Sequence, residues 1–127
     1  MRKTALVTGM HTSLAYLVAE KLIKDGNMRV IAPVRVRESD RVDALIRNHG
    51  ENVIVSDFSP LDFQEAKELV AAADYILNLD CVGMPESEHF PDFAEKVNYF
   101  YTKNLVDAVI ETGSDAKIIE LSTTGIY

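Results

Sequence analysis

Cysteine is almost missing from these 127 residues: Cys81 stands alone, so no internal disulfide can form, and such usage fits a reducing cytoplasm. Long apolar runs are missing too. None approaches the ~20 residues of a membrane span, and the stretch after the basic Met1-Arg2-Lys3 ends at Gly9, too short for a signal peptide. Basic residues are outnumbered, 13 Lys and Arg against 20 Asp and Glu. The resulting net charge of −7 argues against nucleic acid as the main partner, because duplex binding needs a basic face. The three histidines stand at no metal-ligand spacing from Cys81 or the carboxylates, so no metal is expected. No repeat, low-complexity tract or linker divides the chain, and its length suits one domain around one core.

The most informative shortage is of glycine in the first turn. Residues 3–7 read as a buried strand running into Thr8-Gly9-Met10-His11-Thr12-Ser13-Leu14-Ala15. Leu14, Leu17, Val18, Lys21 and Leu22 then fall at helical spacing, with Thr12 or Ser13 as N-cap. In a dinucleotide-binding turn, one glycine makes the bend, a second bares the backbone to the pyrophosphate, and a third admits the helix against the strand. Here those positions fall on Gly9, Thr12 and Ala15. The N–H groups near Thr12, Ser13 and Leu14 would cradle a phosphate at the helix N-terminus. The plainer reading is an ordinary β-α turn that Thr12 caps, with His11 either a phosphate donor or simply solvated.

Strands and helices alternate strictly after that. Gly26 suits a left-handed stop to the first helix. Residues 29–34 form a second strand, with Pro33 near its end where pairing finishes. A helix over 41–48 is capped by Ser39 or Asp40, with Val42, Leu45 and Ile46 inward. Residues 52–56 form a third strand and 62–73 a helix with Ala66, Leu69, Val70 and Ala73 inward. Residues 75–79 form a fourth strand, 82–91 a loop, 92–111 a long helix and 117–121 a fifth strand. Short apolar strands alternating with helices imply a parallel sheet covered on both faces. Right-handed crossovers make it doubly wound, in order 3-2-1-4-5. Ligands in such sheets sit at the strand C-terminal ends. Gly9 to Thr12, Arg35, Asp57, Leu79 to Cys81 and Ser122 to Thr124 are expected to gather there.

Six blocks, in the right order, resemble the NAD(P)-dependent epimerase/dehydratase family, the extended short-chain dehydrogenases. They are Leu6-Val7-Thr8-Gly9, Val34-Arg35, Ser56-Asp57-Phe58, Asp74 to Leu79, Val97-Asn98 through Ala108, and Leu121 to Tyr127. The resemblance implies a five-stranded Rossmann sheet with helices on both faces and a dinucleotide cofactor. Enzymes of the family continue into a Tyr-x-x-x-Lys helix and a substrate lobe. Residues 1–127 resemble their first half only, and so read as a fragment, a trimmed form or a natural short form that ends after strand five.

Several residues then acquire candidate roles. Arg35 suits the 2′-phosphate of NADP, which favours NADP over NAD, with Arg37 and Arg41 close enough to help. Its alternative is a solvated basic run that starts a helix. Asp57 matches the carboxylate that meets the adenine amino group, or else is a turn residue of Asp57-Phe58-Ser59-Pro60. Leu79, Asp80 and Cys81 belong at the cofactor rim. Asp80 stands where the family has a small apolar residue, and its carboxylate would repel a pyrophosphate unless it turns to solvent. Cys81 is either reactive or a buried inert thiol. Thr123 matches the catalytic Ser or Thr, though without its tyrosine partner it reads rather as a hydroxyl bonding backbone at a strand end. Tyr99-Phe100-Tyr101-Thr102-Lys103 repeats the Tyr-x-x-x-Lys pattern but precedes strand five, which is the wrong place. Asn98 matches a supporting asparagine that orders water or backbone.

Three functions remain open at this point. One is the nucleotide-binding half of an epimerase, dehydratase or reductase, not competent alone. Another is a non-catalytic module that senses NADP(H) or binds a protein, and the third is a scaffold that no longer binds nucleotide. The uncovered fifth strand is expected to promote self-association through its edge.

Overall fold

A computed structural model of the protein describes residues 2–36, 38–83 and 86–121. Five strands, β1 (Thr4–Thr8), β2 (Arg29–Pro33), β3 (Val53–Ser56), β4 (Tyr75–Asn78) and β5 (Lys117–Glu120), form one sheet in the order β3-β2-β1-β4-β5. Every pairing is parallel, and β1 is central, with Ala5 opposite both Val30 and Tyr75. Residues 5–8 of β1 are wholly buried, as a strand covered on both faces must be. Pro33 closes β2 opposite Ser56, at the end of the ladder, where its missing N–H does least harm.

Helices α1 (Ser13–Lys24) and α2 (Asp40–His49) cover one face, packing on Ala5, Val7, Val30, Ala32 and Leu77. Helix α3 (Phe63–Ala71) and a later helix α6 (Tyr101–Thr112) cover the other, against Leu6, Ile31 and Ile76. The sheet is therefore doubly wound, as the alternation implies.

Local corrections have local causes. Helix α1 buries Ala15, Ala19 and Ile23, and the two small alanines let its first turns lie close to the sheet. Leu14 and Leu17, which set the helical spacing in the sequence, face outward at 45% and 61% exposure. Ile46 of α2 is likewise exposed, while Val42 and Leu45 are buried. Gly26 is not the left-handed residue after α1; Asn27 is, with φ 50°. A Cβ on Gly26 would come within 2.8 Å of the Leu22 carbonyl oxygen, so glycine serves a close approach there. Of the two candidate caps for α2, Ser39 accepts from the Val42 N–H. The expected loop over 82–91 contains a short helix α4 (Glu86–His89). The expected long helix is α5 (Pro91–Glu95) and α6 joined by a π-helical turn over Lys96–Phe100. That wider turn keeps Ala94, Val97, Tyr101 and Leu105 on one buried side.

Candidate functional site

At the C-terminal ends of β1 and β4, the last paired residues are Thr8 and Asn78. The Thr8 hydroxyl donates to Asn78 Oδ1 (2.7 Å) and accepts from the Leu79 and Asp80 N–H groups (3.0 Å each). One buried hydroxyl thus fixes the direction in which the chain leaves β4. Asn78 Nδ2 in turn reaches Thr102 Oγ1 (3.1 Å) and the Glu120 carboxylate (3.0 and 3.1 Å). Fully satisfied buried polar groups of this kind hold a rim rigid.

Gly9 has φ +81°, and a Cβ there would lie 2.9 Å from the backbone N and Cα of Asp80. The bend after β1 therefore needs glycine twice over, for conformation and for space. Thr12 caps α1: its Oγ1 donates to the Gly9 carbonyl (2.7 Å) and accepts from the Ala15 N–H (3.3 Å). Its own N–H also donates to Gly9 O (2.9 Å). The first-turn N–H groups of Ser13 and Leu14 have no acceptor within the helix, as at any helix start. Both residues are exposed.

Arg35, two residues past β2, reaches across this turn to Asp80. Its Nε donates to Oδ2 (2.7 Å) and its Nη2 to Oδ1 (2.9 Å), a two-pronged pair. The Asp80 side chain is 2% exposed and that of Arg35 22%. Asp80 thus turns neither to open crevice nor to solvent, and its charge is met inside the protein. Arg35 Nη2 also lies 3.4 Å from His11 Nε2, and its Cζ stands 5.2 Å from the centroid of the Phe93 ring. Burial alone would lower the Arg35 pKa, but the hydrogen bonds and charge of Asp80 outweigh it and raise it. Burial lowers the His11 pKa. Asp80 opposes that shift, while the charges of Arg35 and Arg41 add to it. Tyr101, 4% exposed beneath the pair, has its pKa raised by burial and then by the Asp80 charge.

The expected residues gather only in part. Gly9, His11, Arg35 and Asp80 meet around one turn, with Cys81 at its edge. Cys81 is exposed, which corrects the expectation of a buried thiol. Leu79 sends its side chain into the core on the α1 face and leaves only backbone at the rim. Asp57 is exposed and shares with Arg35 and Tyr101 a cavity of about 50 Å³. Arg41 donates to the His11 carbonyl oxygen (3.3 Å). Asn98 holds the chain after β4, accepting from the Val82 N–H (2.7 Å) and donating to its carbonyl (2.9 Å). Lys103 pairs with Asp107 (2.7 Å), one helical turn on from Tyr99. Arg37, Thr123 and the rest of Ser122 to Tyr127 lie outside the described residues.

Tyr101 and Phe93 also stand at the site, and little in the sequence marks them for it. Tyr101 sits at core spacing with Val97 and Leu105, a pattern that conceals its hydroxyl. Phe93 belongs to a segment with no motif. Among the described residues no group of His, Cys, Asp and Glu is placed to hold a metal, and no helix is long and apolar enough to cross a membrane.

No family model matches the sequence, and no curated protein matches it. Many solved structures share the fold. A UDP-glucose 4-epimerase from Stenotrophomonas maltophila with bound NAD and formylated UDP-arabinopyranose superposes with a TM-score of 0.83 at 20% identity, covering 99% of this chain and 38% of that one. The UDP-glucose 4-epimerase of Bifidobacterium longum, in complex with NAD+ and UDP, gives 0.81 at 22% identity, covering 98% and 38%. A short-chain dehydrogenase from Streptomyces avermitilis gives 0.71 at 21% identity, covering 98% and 50%. At such identities the likeness establishes the fold, a doubly wound Rossmann sheet. The chain spans half or less of the length of each of these three proteins.

Proposed function

We propose that this chain is the nucleotide-binding half of an NAD(P)-dependent epimerase, dehydratase or reductase of the extended short-chain dehydrogenase type, with NADP as the preferred cofactor. The observation that carries the reading is Arg35. It places a guanidinium at the end of β2, beside the Gly9 turn of a sheet ordered β3-β2-β1-β4-β5. In a dinucleotide fold that position meets the 2′ group of the adenosine ribose, and an arginine there suits a phosphate. Two neighbours of the same fold carry NAD in their structures, which supports a nicotinamide dinucleotide.

The residues present fit such a group at its anionic points. Ser13 and Leu14 offer N–H donors to the pyrophosphate over the Thr12 cap, and Arg35 would offer its fork to the 2′-phosphate on leaving Asp80. Asp57 would accept from the adenine amino group. Leu79, Asp80 and Cys81 would lie along the cofactor rim, and Thr123 would hold a substrate oxygen. The cofactor would supply the hydride acceptor. This stretch would supply binding and orientation rather than proton transfer, since its one Tyr-x-x-x-Lys precedes β5 and Lys103 is committed to Asp107.

Two finer readings accompany the proposal. The lone cysteine favours a cytoplasmic setting. β5 stands last in the sheet order, and its edge favours self-association by strand pairing, while the net charge of −7 disfavours a nucleic-acid partner. Sedimentation showing only monomer at high concentration would count against that edge.

The Arg35–Asp80 pair favours a second reading, a non-binding scaffold, because it spans the space that a dinucleotide would fill. Calorimetric titration with NADP+, NAD+ and adenosine phosphates separates the two. Saturable NADP+ binding tighter than NAD+ supports the proposal, and no heat from any of them at millimolar concentration leaves the scaffold.

A further inference from the structure

Two cavities open at the C-terminal ends of the strands, and Arg35 borders both. One, about 50 Å³, lies toward Asp57, Pro60 and Tyr101. The other, about 300 Å³, lies toward His11, Cys81, Glu86 and Phe93. Small-molecule sites run to about 300–1,000 Å³, so the first is too small for a ligand and the second is marginal. Arg35 is the one residue common to the two linings, and its side chain is held by two hydrogen bonds to a carboxylate that is 2% exposed. A dinucleotide lies across the whole strand edge and needs the two spaces joined.

We infer that Arg35–Asp80 is a latch. Asp80 occupies the fork of Arg35 that would hold a phosphate, and a ligand phosphate enters by taking its place. This rests on the nucleotide reading proposed above. The chemistry favours exchange because both partners are planar or tetrahedral oxyanions that match the same fork of donors. His11 Nε2, 3.4 Å from Nη2, and the Phe93 ring, 5.2 Å from Cζ, are contacts the guanidinium can keep while it changes anion. Asp80 stays tied through its N–H to the Thr8 hydroxyl, so the carboxylate moves and the backbone rim does not. The latch lowers apparent affinity by the fraction of molecules in which it is open.

The test is titration of the wild-type chain, Asp80→Asn and Asp80→Ala with NADP+ and NAD+, with thermal unfolding run on each protein. Relief of a latch closed in nine molecules of ten tightens NADP+ binding by about tenfold in both variants. Equal NADP+ affinity in folded variants and wild type overturns the latch and leaves the nucleotide reading standing. No binding to any of the three overturns both. The wild-type chain carries an independent measurement, the Nε–H resonance of Arg35 observed by NMR. It should shift on saturation with NADP+ as carboxylate gives way to phosphate, and an unmoved resonance overturns the exchange even if the variants fail to fold.

Discussion

Gly9 and Asp80 touch backbone to backbone: a Cβ on Gly9 would stand 2.9 Å from both the N and the Cα of Asp80. The contact explains why glycine stands at position 9. Gly9→Ala adds a left-handed alanine and an overlap with a rim that the Thr8 hydroxyl prevents from yielding. The two costs together come to about 2–4 kcal/mol of stability. Urea unfolding should show that loss, whereas Thr12→Ala, which removes the cap and the hydroxyl's bond to the Gly9 carbonyl, should lose about 1–2 kcal/mol.

The two members of the Arg35–Asp80 pair should not be equally costly to remove. Arg35→Ala strands a carboxylate that is 2% exposed, whereas Asp80→Asn leaves a guanidinium already 22% exposed and free to lean toward water. Breaking a buried pair from the side that strands the deeper charge costs about 2–4 kcal/mol, at the lower end of the range because Arg35 is partly solvated. Asp80→Asn should cost less than half as much. Denaturant midpoints for the two variants decide the matter, and equal losses would mean that the buried carboxylate finds another partner.

The sheet order was legible because each strand is short, apolar and separated from the next by a helix; alternation and handedness leave few ways to arrange them. Helix faces were less legible where size misleads. Leu14 and Leu17 look like core residues, yet the interior of α1 is Ala15 and Ala19, since close packing on the sheet rewards small side chains there. Arg35 and Asp80 were each placed at the crevice from the sequence, 45 positions apart. That they bind each other was not, because a spacing pattern assigns residues to a rim without saying which rotamers meet across it. Tyr101 was hidden for a different reason. A tyrosine at core periodicity looks the same whether its hydroxyl reaches solvent, Ser59 or a charged pair.

His11 should titrate below the usual imidazole value of 6.5. Its Nε2 faces the Arg35 guanidinium, so the neutral ring that can accept is the form the fold prefers. Folding therefore opposes protonation, and this residue subtracts from stability as pH falls below about 6.5. Asp80 is the one neighbour pushing the other way. Asp80→Asn should thus move the His11 midpoint further down, while a rise would show that Arg35 leaves the ring when its carboxylate is lost. NMR titration of the imidazole reads both.

Glu20 and His49 join α1 to α2 through Oε2 and Nε2 at 3.0 Å, with side chains 20% and 12% exposed. The hydrogen bond from His49 is the main reason that the Glu20 pKa lies below its ordinary 4.5, with Lys24, 3.9 Å away, adding to the shift. A carboxyl group depressed in the folded state stabilises fully above its unfolded value. That contribution disappears as pH falls through the lower folded value. Glu20→Gln should therefore melt a few degrees below wild type near neutrality, and the gap should close as pH falls below about 4.5. Melting temperatures across that range check the sign. A gap that stays constant to pH 3 would mean that the contact works through its shape rather than its charge. A gap that widens on acidification would place the depressed carboxylate elsewhere in the fold.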